Sequence, residues 1–288
     1  MKVALALPAG MPGVPGPLVV EWARKIESGP FSSIAVIDRL TYPNWEPLVA
    51  LSAAAAVTQK VRLMTTLIIA PLRDTALLAK QAATLDVLSG GRLSLGLGVG
   101  RREDDFIAAN REMPRRGRWF EEQLESMRRV WSGQEPSEGV GPVGPEPVQP
   151  GGPEVLIGGS APAALRRAGR LADGFLGAGD PETAVQQFEV VSRAWQKAGK
   201  PGKPRFLATA GIALGRGDAA RRGANQVRHY NAVYEPEVIE RAVQGLLTSE
   251  ESIQGTLQRF QDLGLDEIVF VPRIPDIELV DRLSDLVS

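Results

Sequence analysis

At 288 residues, with no cysteine and a net charge of −1 from 33 basic and 34 acidic side chains, the chain has no material for disulfides, zinc–thiolate or iron–sulfur centres, or a cysteine nucleophile. Its balanced charge supplies no global field for nucleic acid or an anionic membrane surface. Hydrophobic residues at 43% and charged ones at 23% are the proportions of a globular protein with a large core.

In chain order, the opening run Val3–Leu7 is cut off by Pro8 and Gly10. It is too short for a signal-peptide core and reads as a buried strand, so a cytoplasmic location is expected. No later run reaches the length of a membrane span. Further strand-like runs follow at Ser33–Ile37, Val61–Ile69, Arg92–Leu97, Glu154–Ile157, Gly174–Leu176, Phe206–Leu214 and Glu267–Val271. Most are continuously apolar rather than alternating, as parallel strands buried on both faces are.

Helical periodicity fills the intervals at Pro17–Glu27, Pro47–Thr58, Thr75–Leu88, Arg116–Trp131, Ala163–Leu171, Thr183–Ala198 and Glu251–Leu263. Asp180-Pro181-Glu182 and Thr248-Ser249-Glu250 carry helix-start signals. Ser89-Gly90-Gly91 and Leu263-Gly264 carry stops.

Eight strands alternating with helices predict an α/β fold, a (β/α)8 TIM barrel, with a doubly wound open sheet as the rival. Two stretches break the rhythm. Ser132–Pro153, dense in Gly and Pro, is an irregular insertion after the fourth helix, either an active-site loop or a solvated linker. Arg221–Leu247, between strands seven and eight, is a helical-looking insertion with the only histidine, His229, beside Tyr230 and Tyr234.

Three segments carry chemistry. Arg92–Gly100 runs as a strand into Gly96-x-Gly98-x-Gly100, followed by Arg101. Such glycines let a flat ligand or a phosphate approach the backbone, or simply relieve crowding at a barrel rim. No helix opens at once, so the dinucleotide fingerprint is weak. Ile157-Gly158-Gly159-Ser160-Ala161-Pro162 is a strand running into a helix start, either a phosphate cradle or an ordinary capped turn. Val61–Arg73 is a long β-branched strand with two threonines in its middle.

Together, Val57 to Gly100 (VTQKVRLMTTLIIAPLRDTALLAKQAATLDVLSGGRLSLGLGVG) and Gly151 to Leu176 (GGPEVLIGGSAPAALRRAGRLADGFL) closely resemble the two signatures of the luciferase-like flavin-dependent oxidoreductases. That superfamily includes bacterial luciferase and deazaflavin-dependent dehydrogenases and reductases. The resemblance runs from residue 1 to about 180, and weakly over Ser249–Pro272. It implies one luciferase-like barrel domain over residues 1–288, acting as a flavin-dependent oxidoreductase on a small organic substrate at the C-terminal mouth.

By position, the resemblance implies a non-proline cis peptide against the flavin ring at Thr66-Leu67, with Ile69 nearby. Gly98, Val99 and Gly100 would line the ring or ribityl chain. Arg101 stands at a phosphate-binding arginine, and Gly158, Gly159, Ser160 and Ala161 would hold the phosphate from the opposite side. Arg273 is a further phosphate candidate or a plain exposed arginine.

The chain departs from the family where a histidine often follows the second strand. It has Asp38-Arg39 instead, and arginine cannot serve as a base. Arg39 would bind an anionic substrate or stabilise a reduced flavin, while Asp38 is a catalytic candidate or the partner of a backbone N–H. His229 with Tyr230 is the candidate replacement proton donor, against the ordinary role of a surface histidine.

The implied cofactor is FMN or coenzyme F-420. Arg101 favours FMN, and the general similarity to deazaflavin reductases favours F-420. A homodimer is expected, with no metal, nucleic-acid or membrane partner. A non-catalytic flavin-binding or scaffold barrel and an open-sheet nicotinamide dehydrogenase stay open as alternatives.

Overall fold

The computed structural model describes residues 1–288, the side chain of Ala178 excepted. The strands are β1 (Lys2–Ala6), β2 (Ser33–Val36), β3 (Arg62–Thr65), β4 (Ile68–Ile69), β5 (Leu93–Gly98), β6 (Glu154–Gly158), β7 (Gly174–Ala178), β8 (Arg205–Ile212) and β9 (Glu267–Pro272). All pair in parallel, in the order β3-β2-β1-β9-β8-β7-β6-β5-β4, and a further β3–β5 pairing closes the ring. Since β3 and β4 are two halves of one stave against β5, the sheet is an eight-stave barrel. The open-sheet rival is excluded.

Around it lie α1 (Gly16–Ser28), α2 (Pro47–Ala55), α3 (Thr75–Ser89), α4 (Glu103–Ala108), α5 (Arg116–Trp131), α6 (Pro162–Leu171), α7 (Pro181–Lys197), α8 (Ala219–Tyr230), α9 (Pro236–Gln244), α10 (Glu250–Asp262) and α11 (Glu278–Val287). Local chemistry sets several ends. Asp180 accepts from Thr183 N–H with Pro181 in the first turn, and Ser249 forms a capping box with Ser252. Gly90 takes the left-handed conformation that ends α3. Helices α4 and α11 have no counterpart in the sequence reading, and residues 221–247 hold the greater part of α8 and all of α9 rather than one insertion helix.

Two cores result. Leu5, Trp22, Ile34, Phe120, Phe175, Phe206 and Phe270 belong to the larger one, between barrel and helices. Inside the barrel sit Ala4, Ala6, Ala35, Met64, Leu156, Leu176, Leu207, Val269 and Val271, with Ile37 and Leu67 packed against them. At the N-terminal end, fully buried Glu267 is held by Ser32, Ser33 and Arg205, and Arg205 also pairs with Glu154 at 2.7 Å. A buried carboxylate requires such partners.

The Gly/Pro-rich stretch corrects an expectation. It links α5 to β6, and a helix-to-strand connection must enter the next strand at its N-terminal end. The stretch is anchored there, Val148 N–H and Gln149 N–H donating to Asp86 at 2.8 and 3.0 Å, and Gln149 Nε2 donating to Leu93 O at 2.8 Å. It therefore lies away from the mouth, and none of its residues lines the cavity there.

The break between β3 and β4 shapes the mouth. Met64 pairs with Ser94 and Ile68 with Leu97, so the third stave carries one residue more than its partner over this interval, a bulge. Thr66-Leu67 within it is cis. Thr65 Oγ1 donates to Gly96 O at 2.8 Å, and Thr66 N–H donates to Val36 O at 2.8 Å.

The bulge turns Leu67 onto the barrel interior, where glycines make room. A Cβ on Gly96 would stand 2.0 Å from Thr65 O, one on Gly98 3.0 Å from Leu67 Cδ1, and one on Gly158 2.5 Å from the same carbon. Gly96→Ala should therefore destabilise by about 1–3 kcal/mol or more through overpacking against backbone, read as a lower urea midpoint. An unchanged midpoint contradicts the packing described.

Candidate functional site

The C-terminal ends of the strands open on a cavity of about 450 Å3, within the range of small-molecule sites. Its walls come from several βα-loops, as in barrels of this type. Asp38 and Arg39 follow β2, and Thr66, Leu67 and Ile69 form the bulge. Gly98, Val99, Gly100 and Arg101 follow β5, and Gly158, Gly159, Ser160 and Ala161 follow β6. The bulge of the third stave and the loops after the fourth and fifth thus face one space. Of the catalytic and cofactor-binding candidates read from sequence, His229 is absent from the lining, and of the glycine run Gly96 is absent as well. His229 is exposed, and its Nδ1 lies 2.7 Å from the Tyr42 hydroxyl.

Asp38 lines the cavity with its carboxylate already engaged. Oδ2 accepts from Ile69 N–H at 3.0 Å and from Arg73 Nη2 at 3.1 Å. Burial pushes its pKa up, against the pull of Arg73 and the Ile69 N–H. Its geometry is that of a residue holding the bulge, the backbone-partner alternative left open by the sequence. Arg39 is 6% exposed. Its Nη1 donates to Tyr230 O at 2.9 Å and its Nη2 to Asp104 at 3.1 Å.

The glycines act differently from the expectation of a bare approach surface. Those at 98 and 158 leave space for Leu67. A Cβ on Gly100 would meet Ile69 at 2.6 Å, and one on Gly159 would meet Ala164 at 2.8 Å. They let the loops interlock, and the interlocked loops form the wall. Beyond Ala161, α6 begins with no side-chain cap and Pro162 in its first turn. Its early N–H groups are oriented for an anion.

The mouth is strongly cationic. Arg39, Arg101, Arg102, Arg116 and Arg273 line it, against Asp38 and Asp105. Asp105 Oδ1 is taken up by the N–H groups of Leu40 and Thr41, at 3.1 and 2.7 Å. Arg102, 7% exposed, donates to Tyr230 O at 2.9 Å and lies over the rings of Tyr230 and Tyr234. Arg101 is exposed and stacks on Tyr234 at 4.3 Å.

Burial pulls the pKa values of Arg102 and Arg273 below the usual arginine range, opposed by nearby tyrosines. Burial pushes the Tyr230 hydroxyl up, outweighing Arg102, Arg273 and Arg39. Sequence reasoning missed Arg102, Arg116 and Thr209, and gave Tyr234 no role. The Arg101-Arg102 pair was a signal for the first, whereas Arg116 and Thr209 carried none.

Fold and mouth together define a (β/α)8 barrel with a cavity at the C-terminal ends of its strands. The chain belongs to the luciferase-like monooxygenase family, whose model matches residues 6–269. An uncharacterised protein of Mycobacterium tuberculosis is 34% identical over 170 residues, covering 57% of this chain and 60% of the relative. The match thus spans about three fifths of the length of that curated relative.

Among solved structures, the monooxygenase RslO1 of Streptomyces bottropensis aligns with a TM-score of 0.81 at 21% identity, over 99% of this chain and 97% of that one. An F-420-dependent secondary alcohol dehydrogenase, in complex with an F-420–acetone adduct, aligns at 0.80 and 18%, over 100% and 98%. The oxygenating constituent of a 3,6-diketocamphane monooxygenase of Pseudomonas putida, in complex with FMN, aligns at 0.71 and 16%, over 94% and 91%. At these identities the likeness is one of fold.

Two outcomes are expected. Asp38→Ala leaves the Ile69 N–H and Arg73 without their acceptor and should cost about 1–3 kcal/mol, measured by chemical denaturation. Asp104 is a pH probe of the mouth. Hydrogen bonds from Thr41 and Arg39 overcome partial burial and hold its carboxyl below the usual range. Its contribution is present above an unfolded carboxylate's pKa of about 3.9 and is lost as pH falls through the lower folded value. Hydrogen exchange in α8 should therefore rise selectively on acidification below about pH 4, and an Asp104→Asn protein should lose that dependence.

Proposed function

We propose that the chain is an oxidoreductase that binds FMN or coenzyme F-420 in this cavity and acts on a small organic substrate beside it, as one barrel unit over residues 1–288. The observation that carries the reading is the shared cavity: the bulge of the third stave, the loops after β5 and β6 and the uncapped start of α6 converge on it. The residues fit such a group. Helix α6 opens beside Ser160 and Ala161 with no side-chain cap, which leaves its first N–H groups for an anion, and the Tyr234 hydroxyl is buried with no partner, a costly state that a polar ligand relieves.

In this reading Gly158, Gly159, Ser160 and Ala161 hold the phosphate with backbone N–H groups, and Arg101 and Arg116 add charge from the β5 side. The Thr66–Leu67 bulge backs the ring, with Ile69 and Val99 at its edge. Bound there, the cofactor supplies hydride or electron transfer, chemistry that no side chain of this chain provides. Asp38 fixes the bulge through Ile69 N–H and Arg73. Ile37, Leu67 and Val271 exclude water from the floor.

Proton transfer falls to Tyr230. Among the residues lining the cavity there is no histidine, and Tyr230 stands in the lining, its hydroxyl pKa pushed up by burial. It holds a proton at that oxygen for delivery to a substrate atom in the cavity.

Parallel titrations with FMN and F-420, followed by fluorescence, test the assignment. Saturable 1:1 binding of one of them is expected, and binding of neither overturns it. With a substrate in hand, Tyr230→Phe should lower kcat by about 10²-fold or more while cofactor affinity stays within about threefold, because the ring that stacks the guanidinia is kept.

A further inference from the structure

We propose that the cavity contains a second anion site on the wall opposite the phosphate cradle, formed by Arg39, Arg102 and Arg273 around Tyr230, and that the organic substrate carries an oxyanion held there. The inference rests on the proposed function for the word substrate. The site itself stands on the arrangement of side chains.

Three guanidinium carbons lie near one ring: Arg39 at 5.5 Å, Arg102 at 4.8 Å and Arg273 at 5.5 Å from the Tyr230 centroid. Like charges this close, and this withdrawn from water, repel unless an anion is present. The protein does not supply enough. Among the described residues Arg102 and Arg273 form no ion pair, and the carboxylate paired with Arg39 is Asp104. Asp38 is engaged by Arg73 and Ile69, and Asp105 accepts at Oδ1 from Leu40 and Thr41 and keeps a buried, unpartnered Oδ2, one carboxylate charge against three guanidinia.

Docking of α8 explains part of the cluster, since Arg39 Nη1 and Arg102 Nη2 both donate to the Tyr230 carbonyl at its C-terminal end. That leaves Arg39 Nε, Arg102 Nη1 and Arg273 Nε buried without partners. Arg39 and Arg102 are themselves more than nine-tenths buried. Side chains that line one cavity and carry unpartnered charged donors call for a polar partner there.

Topology separates this cluster from the phosphate cradle. Round the barrel the sequence of staves is β1, β9, β8, β7, β6, β5, the β3–β4 stave and β2. Gly158–Ala161 follow β6, four staves from β1 in either direction. Arg39 follows β2 and Arg273 follows β9, the two staves flanking β1. Arg102 reaches across from the β5 loop to the Tyr230 ring. One phosphate cannot engage both walls.

The test uses calorimetric titration of the intact protein with propionate, methanesulfonate and methylphosphonate as probes, and dimethyl sulfone as the neutral control. Each titration is run with and without saturating FMN or F-420. At least one oxyanion should bind at 1:1 in both conditions, with affinities within about threefold of each other, and dimethyl sulfone should not bind. The probe that binds best identifies the oxyanion class.

Arg273→Met should weaken the best probe by about 10-fold or more, as loss of a charge-assisted hydrogen bond does, with cofactor affinity changed by less than about threefold; Arg273→Lys should recover part of the loss. Competition between oxyanion and cofactor in the wild-type protein, which depends on no variant, would show a single anion site and overturn the proposal. So would the absence of oxyanion binding, or binding indifferent to Arg273→Met. Oxyanion binding that depends on Arg273, in a protein that takes up neither cofactor, would uphold the second site and remove the cofactor assignment alone.

Discussion

The mouth of this barrel depends on one packing constraint, the seating of Leu67. A single extra residue in the third stave turns this side chain onto the barrel interior, and it fits because Gly98 and Gly158 present no side chain to it while Gly96 leaves the adjoining Thr65 carbonyl in place. Protein interiors are packed densely enough that one added carbon at any of these positions must displace something. The same contact ties the third, fourth and fifth staves together where their loops begin, so the cavity wall is set by the core beneath it. Asp38, reaching from the second stave to the Ile69 N–H, locks the far side of the bulge.

On that rigid floor sits a wall of arginines. Their arrangement follows from stave order: the glycine-rich loop after β6 offers backbone N–H groups, and the loops flanking β1 offer guanidinia from across the cavity. Helix α8 closes the ring by resting its C-terminal carbonyl on Arg39 and Arg102 and inserting Tyr230 among the charges. Burial pushes the Tyr230 hydroxyl pKa up, and its ring face offsets part of the repulsion of the cations around it. Positioning, charge compensation and a retained proton thus come from one helix end.

Much of this was legible in the sequence, for identifiable reasons. Continuous apolar runs alternating with helical periods gave the staves, and the glycines at 96, 98, 100, 158 and 159 marked close approach. What they approach was not legible, because the partner of Gly98 and Gly158 is a leucine some thirty residues or more away in the chain. Arg101 and Arg102 are neighbours in sequence, and spacing alone could not say that the second is the buried one. His229 and Tyr230 sit about 100° apart on a helix, so one faces the cavity and the other solvent. For the Gly/Pro-rich segment two alternatives stood open, although chain direction sends a helix-to-strand link to the end of the barrel opposite the mouth.

A structure of the protein with FMN or coenzyme F-420 diffused into it tests the central claim most directly. The account predicts the ring packed against the Thr66–Leu67 backbone, with the phosphate accepting hydrogen bonds from the Ser160–Ala161 segment. A ring seated away from Leu67, or a phosphate bound among Arg39, Arg102 and Arg273, would contradict it.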